Sequence, residues 1–145
     1  MKLQDIINRL EPIFEDLGYV LFYGSKASYN AKRRDVGVKE ATITPFDLPF
    51  SDICEFSTIL TINLFKKRSK DAEFSNESQY SILNVDEMRA DANKLYDKFN
   101  EQDWCLITQK REKMIFKFID AQGAASMNQQ DVATITFPIK FWING

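Results

Sequence analysis

Between Glu55 and Phe65 the chain alternates with a period of two, and few backbone forms can satisfy that pattern. Phe56, Thr58, Leu60, Ile62 and Leu64 fall on one side, and Glu55, Ser57, Ile59, Thr61, Asn63 and Phe65 on the other. Successive side chains of a β-strand point to opposite faces, so the first set reads as the core face of a central strand. The second set is mixed, as expected of a face that is partly solvated or covered by a partner. A strand of this kind needs neighbours to pair with and a layer to bury its apolar face.

The neighbours are legible in the remaining sequence. Tyr19 to Tyr23 is a short aromatic and β-branched run, and Glu40 to Phe46 is a second candidate strand closed by Pro45 and Pro49. Trp104 to Thr108 and Lys113 to Asp120 read either as one bulged strand or as a strand and its continuation. Val132 to Ile143 is the last strand, with Ala133, Ile135, Phe137, Ile139 and Phe141 on one face. Pro138 lacks a ladder donor, so it marks an edge, a bulge or the strand's end.

Two segments carry helical spacing instead. Leu3, Ile6, Ile7, Leu10, Phe14 and Leu17 form one apolar face, with Pro12 predicted to kink the helix and Gly18 to cap it. Val85, Met88, Ala92, Leu95 and Phe99 form the second stripe, in a helix capped by Asn84 or Asp86 and ending near Asn100. Laying both helices on one side of the sheet buries both kinds of apolar surface. The expected fold is α+β: two helices packed on one face of a four- to five-stranded, mostly antiparallel sheet. At 145 residues the chain is expected to form a single domain over 1–145, with long loops at 24–39 and 66–83. Phe74 to Leu83 reads as a mobile part of the second loop, and Ala121 to Asp131 as a further loop.

Much familiar chemistry lacks its side chains. The chain has no histidine, which removes the ordinary neutral-pH base and the commonest metal ligand. Cys54 and Cys105 alone do not make a structural zinc site, and both read as buried small apolar groups. Gly24-Ser25-Lys26 lacks the upstream glycines of a phosphate-binding loop. Asp86, Glu87 and Asp91 are the only paired carboxylates suggestive of chemistry, and they read as the solvated face of the second helix beside Arg89 and Lys94. No metal, cofactor or small-molecule substrate is expected. The opening residues do not resemble a signal peptide, and no apolar run is long enough for a membrane span. A reducing cytoplasm, or a particle assembled in one, fits best.

Binding residues are more visible. Lys26, Lys32, Arg33, Arg34 and Lys39 cluster in or beside the first loop, and Lys66, Lys67, Arg68 and Lys70 at the end of the central strand. They suit a solvated surface, docking on an acidic partner, or passing contact with a nucleic-acid backbone. A net charge of -2 disfavours wrapping of DNA by the whole surface. Phenylalanine is abundant, at 12 residues, and Phe46, Phe50, Phe74 and Tyr80 fall in expected loops or strand ends. The last segment is apolar on both faces, so Phe137, Ile139, Phe141 and Trp142 are expected to form a subunit contact.

Glu11-Pro12-Ile13-Phe14, Gly18-Tyr19 and Phe22-Tyr23-Gly24 resemble the start of small neck or tail proteins of tailed, crAss-like phages that infect gut Bacteroidetes. The element order resembles the tail-terminator and tail-completion class. That resemblance implies a virion protein, assembled in the host cytoplasm, that forms or joins a ring as a connector, terminator or completion protein. It implies contacts with its own copies and with adjacent neck or tail proteins, with the two loops at 24–39 and 66–83 facing the channel or the next ring. It implies no catalytic residue. The alternatives are a small adaptor or inhibitor with one protein partner and, further off, a carboxylate-dependent nuclease.

Overall fold

The computed structural model describes residues 2–24, 39–50, 55–67, 77–119 and 130–142. Helix α1 (Leu3–Glu15) leads into strand β1 (Tyr19–Tyr23), followed by β2 (Lys39–Ile43) and β3 (Glu55–Lys67). Helix α2 (Glu77–Asn100) precedes β4 (Cys105–Ile107), a 3-10 turn at Arg111–Lys113, β5 (Ile115–Ile119) and β6 (Gln130–Trp142). The fold is α+β, with two helices against a mixed, mostly antiparallel sheet.

The sheet runs β1-β2-β3-β6, with β4 and β5 both paired to the far side of β6. Only the β1–β2 pair is parallel. β3 and β6 pair along their whole lengths, from Glu55 opposite Trp142 to Lys67 opposite Gln130. β4 lies against Ile139 to Phe141 and β5 against Val132 to Thr136. They are therefore two pieces of one border, interrupted by the turn between them. This joins the two readings of that stretch: it is one strand position, filled by a strand and its continuation.

Pro138 explains where the interruption falls. In an antiparallel ladder a residue's N–H and C=O point to the same side. The Pro138 carbonyl accepts the Thr108 N–H at 3.1 Å on the β4 side, so the missing donor also faces that side. It falls opposite Thr108, one residue past the end of β4, where the border's pairing to β6 breaks off.

The core follows one register across the sheet. Leu21, Ala41, Leu64 and Ala133 make one line across four strands, and Tyr23, Ile43, Ile62 and Ile135 the next. Leu60 opposite Phe137, Thr58 opposite Ile139 and Phe56 opposite Phe141 continue it. Ile6, Leu10, Ile13 and Phe14 of α1 and Met88, Ala92, Leu95 and Phe99 of α2 are buried with them. The far end is aromatic: Phe141 stacks near Trp104 at 5.9 Å and Phe46 at 6.0 Å between centroids, and packs against Phe56 at 5.5 Å. Phe46 is thus part of the core's wall, although it lies outside the strands.

Several local expectations change. α2 begins at Glu77, so the helix extends over 77–83, where a loop was expected, and neither Asn84 nor Asp86 caps it. β2 stops at Ile43, before the expected Phe46. Gly18 follows α1 with φ +84°, the left-handed conformation expected of a glycine after a helix, and its N–H donates to the Glu15 carbonyl at 2.9 Å. Pro12 is exposed and the helix continues past it, its carbonyl accepting from Asp16 at 3.0 Å. Most of the first expected loop, and the 121–129 loop, lie outside the described residues.

Candidate functional site

One end of the core is polar. In the register line beyond Leu21, Ala41, Leu64 and Ala133, the chain places Tyr19, Lys39, Lys66 and Asp131. Each lies two residues from an apolar neighbour on its own strand, so alternation sends all four to the helix-covered face. The result is a polar row across four adjacent strands.

α2 lies over that row and supplies its partners. Counting back from Leu95 and Ala92 at helical spacing gives Asp91, Met88, Glu87 and Asn84 on the inward side. Asp91 Oδ2 accepts from the Tyr19 hydroxyl at 2.8 Å and from Lys39 Nζ at 3.2 Å. Lys39 Nζ also lies 2.8 Å from Glu87 Oε1, and Lys66 pairs with Glu87 Oε2. Asn84 Nδ2 donates to Asp131 Oδ2 at 2.6 Å. Lys39 Nζ sits 5.3 Å from the Tyr19 ring centroid, a cation–π contact.

Burial gives these contacts weight. Asp131 is fully buried, Asp91 is 4% exposed and Asn84 7%. A buried carboxylate is tolerable only when paired or hydrogen-bonded. Burial, then the charge and hydrogen bond of Asp91, raise the Tyr19 hydroxyl well above the ordinary phenol range. Burial first and the Lys39 ammonium second lower Lys66 from an ordinary lysine, partly opposed by Asp91 and Asp131.

The arrangement bears directly on the sequence expectations. Glu87 and Asp91 do not form a solvated face of α2: they point at the sheet and hold its lysines. Lys39 and Lys66 are not loop cations awaiting a partner, because each is a strand residue bonded under α2. Lys67 is the last residue of β3. Lys26, Lys32, Arg33, Arg34, Arg68 and Lys70 lie outside the described residues.

The expected subunit contact also changes. Phe137 is 1% exposed, and Ile139 and Phe141 are fully buried in the chain's own core. The reason is that β6 is flanked on both sides, and this face of it lies under the helices. Those three cannot form a subunit contact in this fold. Trp142, on the opposite face by alternation and half-buried, remains accessible to one.

That opposite face, expected from the β3 alternation to be partly solvated or covered by a partner, gains two apolar members that the sequence reading did not place there, Leu106 and Ile115. Ile59 is 62% exposed, Ile115 63% and Leu106 45%. Their register partners are Pro138, Thr136 and Lys140, consecutive outward positions of β6, so the three side chains form one patch. Glu55 and Lys140 pair at 2.7 Å on its rim. Lys110, Lys113 and Lys117 are exposed beside the border, while Arg111 pairs with Asp97 and lies 4.9 Å from the Tyr96 ring.

Among the described residues, no three cysteine or acidic side chains gather as metal ligands, and no helix is long and apolar enough to cross a membrane. Compared with known proteins, the chain matches no family model and no curated protein.

Proposed function

We propose that this chain is a non-enzymatic structural protein that acts by packing against further copies of itself, as a subunit of a ring at a phage neck or tail. The observation that carries this is the patch of Ile59, Leu106 and Ile115 on the sheet face opposite the helices. Large aliphatic side chains on the outer face of a sheet are a liability unless something covers them. The rim carries both signs of charge, Glu55 and Lys140, which a second copy can match. The polar row supports the same reading from the other side. Its tyrosine and most buried carboxylates are engaged with residues of this chain, and proton transfer needs a group free to meet a substrate. The phage setting rests on the resemblance of the first two dozen residues and of the element order.

The test is light scattering coupled to size exclusion over a range of concentrations. The unmodified chain is expected to self-associate, alone or on neck and tail components. The double variant Ile59→Lys, Ile115→Lys is expected to run as a monomer with an unchanged circular dichroism spectrum. A strict monomer that joins no such component overturns the proposal, and a monomer with one tight protein partner supports the adaptor reading.

A further inference from the structure

The inward stripe of α2 changes character along its length. Ala92, Leu95 and Phe99 hold the later part by apolar burial, and Met88 is the one core side chain of the earlier part. Asn84, Glu87 and Asp91 hold the earlier part by bonds to Asp131, Lys66, Lys39 and Tyr19. Apolar contact is indifferent to protons, whereas an ion pair disappears when its carboxylate is protonated.

We propose that the polar row and the three α2 side chains above it form an acid-released latch, which frees the helix before Ala92 while the later turns stay docked. The groups facing one another are Glu87 and Asp91 on α2, Tyr19 on β1, Lys39 on β2, Lys66 on β3 and Asp131 on β6. Three carboxylates here face two ammonium groups. Acid protonates carboxylates in general and leaves ammonium groups charged. Lys39 and Lys66 are direct register partners whose side chains are only 20% and 16% exposed. Like charges placed opposite one another in a sheet repel, and here α2 shields them from water. Lifting the early part of α2 relieves both the repulsion and the desolvation. The later stripe contains no titratable side chain, and the ion pairs beside it, Asp97 with Arg111 and Lys98 with Asp16, involve exposed carboxylates that add little, so its grip changes little. Segments that open below the global unfolding free energy are those with few apolar contacts, and within residues 84–91 Met88 alone is a fully buried apolar side chain.

Hydrogen exchange of the intact chain at about pH 7 and about pH 4, corrected for intrinsic rates, reads this directly. Protection at 84–91 is expected to fall at least about tenfold in acid while that at 95–100 changes less than about threefold. The double variant Glu87→Gln, Asp91→Asn should show the same selective loss at neutral pH. The single variant Glu87→Gln serves if the double variant does not fold. Glu112→Gln, an exposed carboxylate away from the row, should leave the profile unchanged. Uniform loss along α2, loss only when the whole chain unfolds, or protection that ignores pH overturns the proposal.

Discussion

Lys39 and Lys66 face the same helix, but their removal should have unequal effects. Lys39 bridges Glu87 at 2.8 Å and Asp91 at 3.2 Å, so Lys39→Met takes a partner from a carboxylate that is 4% exposed. Breaking a buried pair on one side costs about 3 kcal/mol at the lower end of its range, which suits a lysine that keeps some contact with water. Lys66→Met should cost under about 1 kcal/mol, because burial already works against its charge and Glu87 retains Lys39. Urea titrations of the two variants decide the matter, and equal losses would contradict this ranking. Cys105 sets a second expectation at this scale. Burial, and secondarily Asp103, push its thiol from 9.0 up to about 12. A raised native value means the folded chain keeps a proton that the unfolded chain releases. This contribution is therefore complete below about pH 9 and is lost as the pH rises toward about 12. Tyr19 acts with the same sign above its ordinary 10.0. Calorimetric scans of Cys105→Ala should show a melting temperature that falls less steeply between those limits than that of the parent. The polar row was open to detection residue by residue: 19, 39, 66 and 131 continue the apolar alternations 21/23, 41/43, 60/62/64 and 133/135. What local spacing cannot show is that four strand ends align, since register is a property of pairs.

Among the elements, those with an unbroken local pattern were the most legible. β1 occupies the expected Tyr19–Tyr23, and the α2 stripe of Met88, Ala92, Leu95 and Phe99 is buried as its spacing requires. The start of α2 was hidden because 77–83 is polar with isolated aromatics, and because Asn84 looks like a cap. Its amide instead meets Asp131, 47 positions away, a contact that no local signal announces. β6 illustrates a different limit. Its alternation separates Phe137, Ile139 and Phe141 from Pro138, Lys140 and Trp142, but does not say which set the helices cover. Two apolar faces implied cover by a neighbouring subunit, whereas β6 is flanked on both sides by strands of its own chain. Pro138 offers a test of the interruption beside it. Pro138→Val adds at most one terminal ladder bond, toward Thr108 at the end of β4, so stability should change by less than about 1 kcal/mol. A urea midpoint shift equivalent to several kcal/mol would show that this reading of the gap is wrong.

The whole molecule is asymmetric end to end, with an aromatic cluster around Phe141 at one end of the core and a hydrogen-bonded, charged row at the other. Phe141→Ala should cost about 4 kcal/mol in a denaturant titration, as truncating a fully buried phenylalanine usually does, and a loss under about 1 kcal/mol would mean that the cluster is not well packed. The patch of Ile59, Leu106 and Ile115 lies on the remaining broad face, so assembly can draw on it without disturbing either end. The broken border has a consequence of its own. A stray strand from a misfolded neighbour seeks a straight row of free backbone groups to copy. Here it meets a run of only three residues, Cys105–Ile107, then a projecting turn, then Ile115–Ile119 with Lys117 at its middle. A ladder begun on either piece has nowhere to continue. On this side of the described sheet the chain can therefore expose greasy side chains on a flat face and still resist edgewise pairing.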